Sequence, residues 1–122
     1  MARLNVQADV RAYLDGMLPD AEVRVRVPDP RPERLVVVKR AGGRRLNIRQ
    51  DRPGVDVLVW APTEEAAAEL AERVSHLMEL LPRERFLDGY DLVREETLRS
   101  DPDPETDIPR WFGSYTITTH KH

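Results

Sequence analysis

Residues 35–60 read LVVVKRAGGRRLNIRQDRPGVDVLVW, and this stretch decides the fold class. Leu35-Val36-Val37-Val38 is apolar on both faces of an extended chain, as in a strand that lies inside a sheet or carries a helix on one side. Ala41-Gly42-Gly43 reads as a hairpin turn, because glycine supplies the positive φ that tight turns need. Arg44–Arg49 then reads as the return strand. Asp51-Arg52-Pro53-Gly54 is a second turn signal. Val55-Asp56-Val57-Leu58-Val59-Trp60 follows as a further strand.

On the N-terminal side, Glu22-Val23-Arg24-Val25-Arg26-Val27 alternates strictly, so residues 22–27 read as a half-buried strand. Pro28, Pro30 and Pro32 enforce an extended connector, since proline fixes φ and donates no ladder bond. Val6, Val10, Tyr13, Leu14 and Met17 recur at helical spacing over 5–18. Asn5 is the expected N-cap and Pro19 the stop. On the C-terminal side, Ala67, Leu70, Val74, Leu77 and Leu81 form one apolar stripe over 63–81. Thr63 can cap that helix, and Glu64 and Glu65 suit the positive end of its dipole. Residues 89–100 and 109–119 read as two long strands. They flank an acidic, proline-punctuated segment, 101–108, expected to be a flexible loop.

The order is helix, four strands, helix, two strands. Short links among the first four strands favour an antiparallel meander. The expected class is therefore α+β: two layers, a mainly antiparallel sheet of about six strands with two helices packed on it, its strand order open. At 122 residues the chain reads as a single domain, 1–122.

Composition narrows the chemistry. With no cysteine, disulfides, zinc–thiolate sites and thiol nucleophiles are excluded. No apolar run reaches the ~18 residues of a membrane span, and the first residues hold no signal-peptide core. The expected setting is cytosolic or virion-associated. Residues 1–60 carry twelve Lys/Arg against eight Asp/Glu, and residues 61–122 carry seven against fourteen. Such a +4/−7 split suits either surfaces that meet in an assembly or a surface over which the charge averages out.

Catalytic patterns are scarce. His76, among Glu72, Arg73 and Glu79, reads as a solvated helix histidine rather than a general base. His120 and His122 flank Lys121 at the C-terminus and make no structural metal site. Ser75, Ser100 and Ser114 lie outside any nucleophile-elbow pattern. Gly42-Gly43-Arg44-Arg45 is no phosphate loop. Asp51 and Asp56 flank a turn signal, where Asp commonly caps backbone N–H groups. Asp101, Asp103, Glu105 and Asp107 alternate like calcium ligands, but Pro102 and Pro104 intervene and Thr106 stands where an EF-hand requires glycine. The expectation is a non-enzyme with no metal and no cofactor. Lys39, Arg40, Arg44, Arg45, Arg49 and Arg52 make 39–52 the most basic segment. It can meet phosphates, yet it holds no aromatic residue for base stacking.

In order and spacing, these pieces resemble the tail terminator (tail completion) proteins of long-tailed bacteriophages and prophages. The resemblance runs from the N-terminal helix and Val23–Val27 into Pro28-Asp29-Pro30-Arg31-Pro32. It continues through Leu35–Gly43, Asp51-Arg52-Pro53, Val59-Trp60-Ala61 and the alanine-rich helix 66–81. It ends with Asp101-Pro102-Asp103, Pro109-Arg110-Trp111 and Tyr115-Thr116-Ile117-Thr118-Thr119. It implies a virion protein, assembled in the host cytoplasm and sited at the head-proximal end of the tail. Its copies would form a ring, usually of six, that stops tube polymerisation and meets the tail tube protein and a head-completion protein. DNA would only pass through the channel, and no membrane is involved.

Ring contacts are heterologous, so each subunit needs two complementary patches. The charge split offers Arg40, Arg44, Arg45 and Arg49 on one side. On the other it offers Glu95, Glu96 or the loop with Asp101, Asp103 and Asp107. Trp111 and Phe112 read either as interface anchors or as ordinary core. The alternatives are another head–tail connector, such as a stopper or head-closure protein, and a nucleic-acid-binding module using 39–52.

Overall fold

The computed structural model describes residues 5–45, 50–84 and 87–120, with the backbone alone at 43–45 and 50. Helix α1, Val6–Met17, starts where expected: Asn5 Oδ1 accepts the Ala8 N–H at 3.2 Å. Helix α2, Glu64–Leu80, is capped by Thr63, whose Oγ1 accepts the Ala66 N–H at 3.1 Å. A 3-10 turn, Leu81–Arg83, follows it. The strands are β1 (Glu22–Arg24), β2 (Leu35–Arg45), β3 (Gln50–Trp60), β4 (Tyr90–Ser100) and β5 (Arg110–His120).

All five strands share one sheet in the order β1-β2-β3-β5-β4. The α+β class stands, with five strands in place of about six. The difference lies in residues 41–54. Ala41-Gly42-Gly43 is no hairpin turn, and Asp51–Gly54 is no second turn: both lie inside long strands. Between Arg40 and Gly43 the β2–β3 register slips, which makes a β-bulge. Gly42 there takes φ +75°. Opposite it, a Cβ on Gly54 would stand 2.7 Å from the Ala41 carbonyl oxygen, so only glycine admits the close approach. Pro53 falls between the Asp51–Thr119 and Gly54–Thr116 pairs of the β3–β5 ladder. Glycines that read as turns thus build a kink within one hairpin. Of the expected return strand 44–49, Arg44 and Arg45 still belong to β2, and 46–49 lie outside the described residues.

The meander also needs correction. β1 covers only 22–24 and runs parallel to β2, pairing Glu22–Leu35, Val23–Val36 and Arg24–Val37. Residues 25–34 return the chain to the start of β2, and their prolines keep them out of the ladder.

Both helices pack on one face of the sheet. Val6, Val10 and Leu14 of α1 and Leu70, Val74 and Met78 of α2 meet Val36, Val38, Val55, Val57, Val59, Tyr115 and Ile117. Three tyrosine hydroxyls tie this layer together. Tyr13 donates to the Leu77 carbonyl at 2.7 Å, joining the helices. Tyr90 donates to Asp9, joining β4 to α1. Tyr115 donates to Glu95 at 3.0 Å. A smaller cluster, Leu35, Val37 and Trp60 with Leu58 and Ile108, occupies the opposite face. This explains why β2 begins apolar on both sides.

Candidate functional site

The acidic segment is folded over that second cluster. Trp60 Nε1 donates to Asp103 Oδ2 at 3.1 Å, and Arg31 Nη1 lies 3.4 Å from the same oxygen. The Asp103 backbone binds Ile108 and Asp107 across the loop, and its Oδ1 accepts the Glu105 N–H. These contacts hold the Asp103 carboxyl below its usual value, the Trp60 N–H first and the Glu105 N–H next. Arg110 stacks 5.6 Å from the Trp60 ring centroid and Arg31 6.0 Å. Arg110 also binds the carbonyl and the carboxylate of Asp101, each at 2.8 Å. Residues 101–109 therefore form a cross-tied flap over Trp60.

The basic candidates sit elsewhere. Arg40 is exposed on β2, its Nε donating to the Gly42 carbonyl at 3.2 Å and its backbone N–H to Gln7 Oε1 at 2.8 Å. Arg44 and Arg45 lie further along β2, opposite Arg52 and Asp51. Arg49 lies outside the described residues. The flap adjoins the sheet end where Leu35, Trp60 and Arg110 align. Arg45, Asp51, Thr119 and Tyr90 align at the other end. About ten residue rises, roughly 33 Å, separate the two ends, so of the basic segment, the arm 39–52, the far end at Arg45 lies away from the flap, whereas Lys39 lines a cavity with Asp103 and Glu105.

The remaining candidates divide. Glu95 Oε1 accepts from Ser75 at 2.7 Å as well as from Tyr115, within the helix-facing layer. Glu96 is exposed at a β4 irregularity, 3.6 Å from Arg94. Asp101 and Asp103 are neutralised by Arg110, Arg99 and Arg31. Asp107 is exposed with φ 59°. Trp111 packs against the main core, opposite Val59. Phe112 faces the other way, with the Arg99 guanidinium 4.9 Å from its ring centroid.

Sequence reading missed Trp60, Arg31 and Arg110 as the partners of the acidic segment. The one signal it offered was the clustering of Arg110 and Trp111 beside Asp101–Asp107; the link to Arg31 is tertiary. Among the described residues no group of His, Asp and Glu is placed to hold a metal ion. No described helix is long and apolar enough to cross a membrane.

The rim of the sheet is one surface a partner could use. β4 forms one edge along eleven residues. On the other edge β1 covers β2 only over Leu35–Val37. No family model matches the chain, and no curated protein matches it.

Proposed function

We propose that the chain is a structural subunit of a long-tailed phage virion. Copies assemble head to tail into a ring that caps the tail tube, stops its polymerisation and joins tail to head. The sequence resemblance suggests this role. The observation that carries it is a sheet with two unlike edges, β4 on one side and, on the other, the cation-rich part of β2 that no described strand covers. Two unlike edges suit heterologous contacts, which form a ring when the rotation from copy to copy closes and a filament when it does not. In this reading the fold serves assembly rather than catalysis.

Light scattering across concentration and salt tests it. The expected result is a species near six times 14.1 kDa at low salt that shrinks as salt rises. Charge reversal at Arg44 and Arg45 shifts the assembly midpoint to higher protein concentration, and the shift fades with salt. A stable dimer overturns the reading. Steeply salt-dependent binding of DNA by the monomer redirects it to a nucleic-acid module.

A further inference from the structure

We propose that one copy's β2 segment Lys39–Arg45, whose outer edge no described strand covers, lies antiparallel to Tyr90–Thr97 of β4 in the next copy, so that the five-stranded sheet continues across the contact. This rests on the ring reading and names the surfaces the ring uses.

Topology comes first. Each of the pairs β2–β3, β3–β5 and β5–β4 is antiparallel, so β4 runs opposite to β2. Placing the β4 edge of one copy beside the β2 edge of the next keeps both helix layers on the same side and makes the new pair antiparallel.

The rows of the sheet then set the partners. Lys39, Asp56, Ser114 and Thr97 lie on one row; Arg40, Val55, Tyr115 and Glu95 lie on another; Arg45, Asp51, Thr119 and Tyr90 end the sheet. An unshifted continuation places Lys39 of one copy beside Thr97 of the next, and Arg40 beside Glu95. Segment 39–45 contributes Lys39, Arg40, Arg44 and Arg45 with no acid. Segment 90–97 contributes Asp91, Glu95 and Glu96 against Arg94. The charges are complementary, +4 against −2.

Length agrees as well. β1 blocks the β2 edge beside Leu35–Val37, so the incoming β4 must leave the edge before reaching it. Val37 lies on the row of Arg99, so the incoming strand must leave the edge there, two residues beyond Thr97. At Arg40 the outward backbone N–H is held by Gln7 Oε1 at 2.8 Å, so the Gln7 side chain must swing aside for a strand carbonyl of the next copy to take that donor.

The flap is the competing site for the arm. Its Asp101 and Asp103 pair within the chain, and so do the β4 acids, Asp91 with His120, Glu96 with Arg94 and Glu95 with Ser75 and Tyr115; strand direction and row register, not unpaired charge, favour the β4 edge.

Because the chain has no cysteine, disulfide trapping is clean. Directly opposed residues on antiparallel strands lie within disulfide reach. Under mild oxidation the double variant Lys39→Cys/Thr97→Cys is expected to give a ladder of covalent multimers on non-reducing gels. Each single variant gives none. If light scattering finds the oligomer but this pair gives no ladder, the inference fails and the ring reading stands. The same holds if Lys39→Cys/Asp107→Cys ladders instead, because the arm then meets the flap. A protein that stays at 14.1 kDa and gives no ladder overturns both.

Discussion

Asp103 does more than its place in an acidic run suggests. Its carboxylate accepts the Trp60 indole N–H, faces Arg31 and orders the turn through Glu105. A carboxyl held below its usual value of 3.8 stabilises the fold above that pH. The contribution is lost as pH falls through the depressed value, where the folded state also takes up the proton. Asp103→Asn is expected to lower the melting temperature at neutral pH, by an amount that shrinks towards strong acid. Thermal melts from pH 7 downward check this; a deficit independent of pH removes the electrostatic account. Residue identity alone showed an acid in a loop. That it closes over a tryptophan 43 positions earlier is a tertiary fact.

Elements divide into those read correctly and those read as their opposite. Both helices were legible because periodicity and caps are local: Asn5 and Thr63 cap where sequence placed them. The hairpin was not, because glycine carries the same meaning in a turn and in a bulge. At Gly54 the deciding contact is the Ala41 carbonyl across the strand pair, 2.7 Å from where a Cβ would stand. Gly54→Ala must push β2 and β3 apart. It is expected to cost about 1–3 kcal/mol, as overpacking does elsewhere. Chemical denaturation measures it. Gly42→Ala crowds nothing and acts through its positive φ alone, so its loss should be smaller. Equal losses would mean that backbone conformation, not the close approach, governs the bulge. The parallel pairing of β1 was equally hidden, because the alternation of 22–27 is the same whichever way its neighbour runs.

Taken whole, the molecule has all three of its tyrosines buried, each hydroxyl joining separate elements. Burial pushes Tyr13 up to about 12, aided by Glu84. Burial also raises Tyr90 and Tyr115, with Asp9 and Glu95 adding to the shift. A raised pKa means that the folded chain keeps protons the unfolded chain gives up. Stability is therefore full below the ordinary tyrosine value of 10 and falls as pH rises through about 12. Ultraviolet titration is expected to show little tyrosinate at pH 10, then one step coincident with loss of helical circular dichroism. Gradual ionisation near pH 10 with the fold intact would refute the buried network. The same view of the whole chain separates the charged regions. The basic arm and acidic flap, suggested as a complementary pair from composition, meet only at Lys39, and the arm's Arg45 stands at the opposite end of the sheet. Two of the flap acids, Asp101 and Asp103, pair with Arg31, Arg99 and Arg110, while Glu105 and Asp107 are exposed.

By itself the sequence determined the two helices and their caps, the α+β class, the faces that are buried and the concentration of cations on one hairpin. Each follows from local periodicity, capping chemistry or composition. Only the tertiary structure decided the five-strand count, the parallel β1, the flap over Trp60 and the edges left open. Those depend on which backbone groups find partners far along the chain. A bulge and a parallel pair satisfy the same local preferences as the turn and meander they replace.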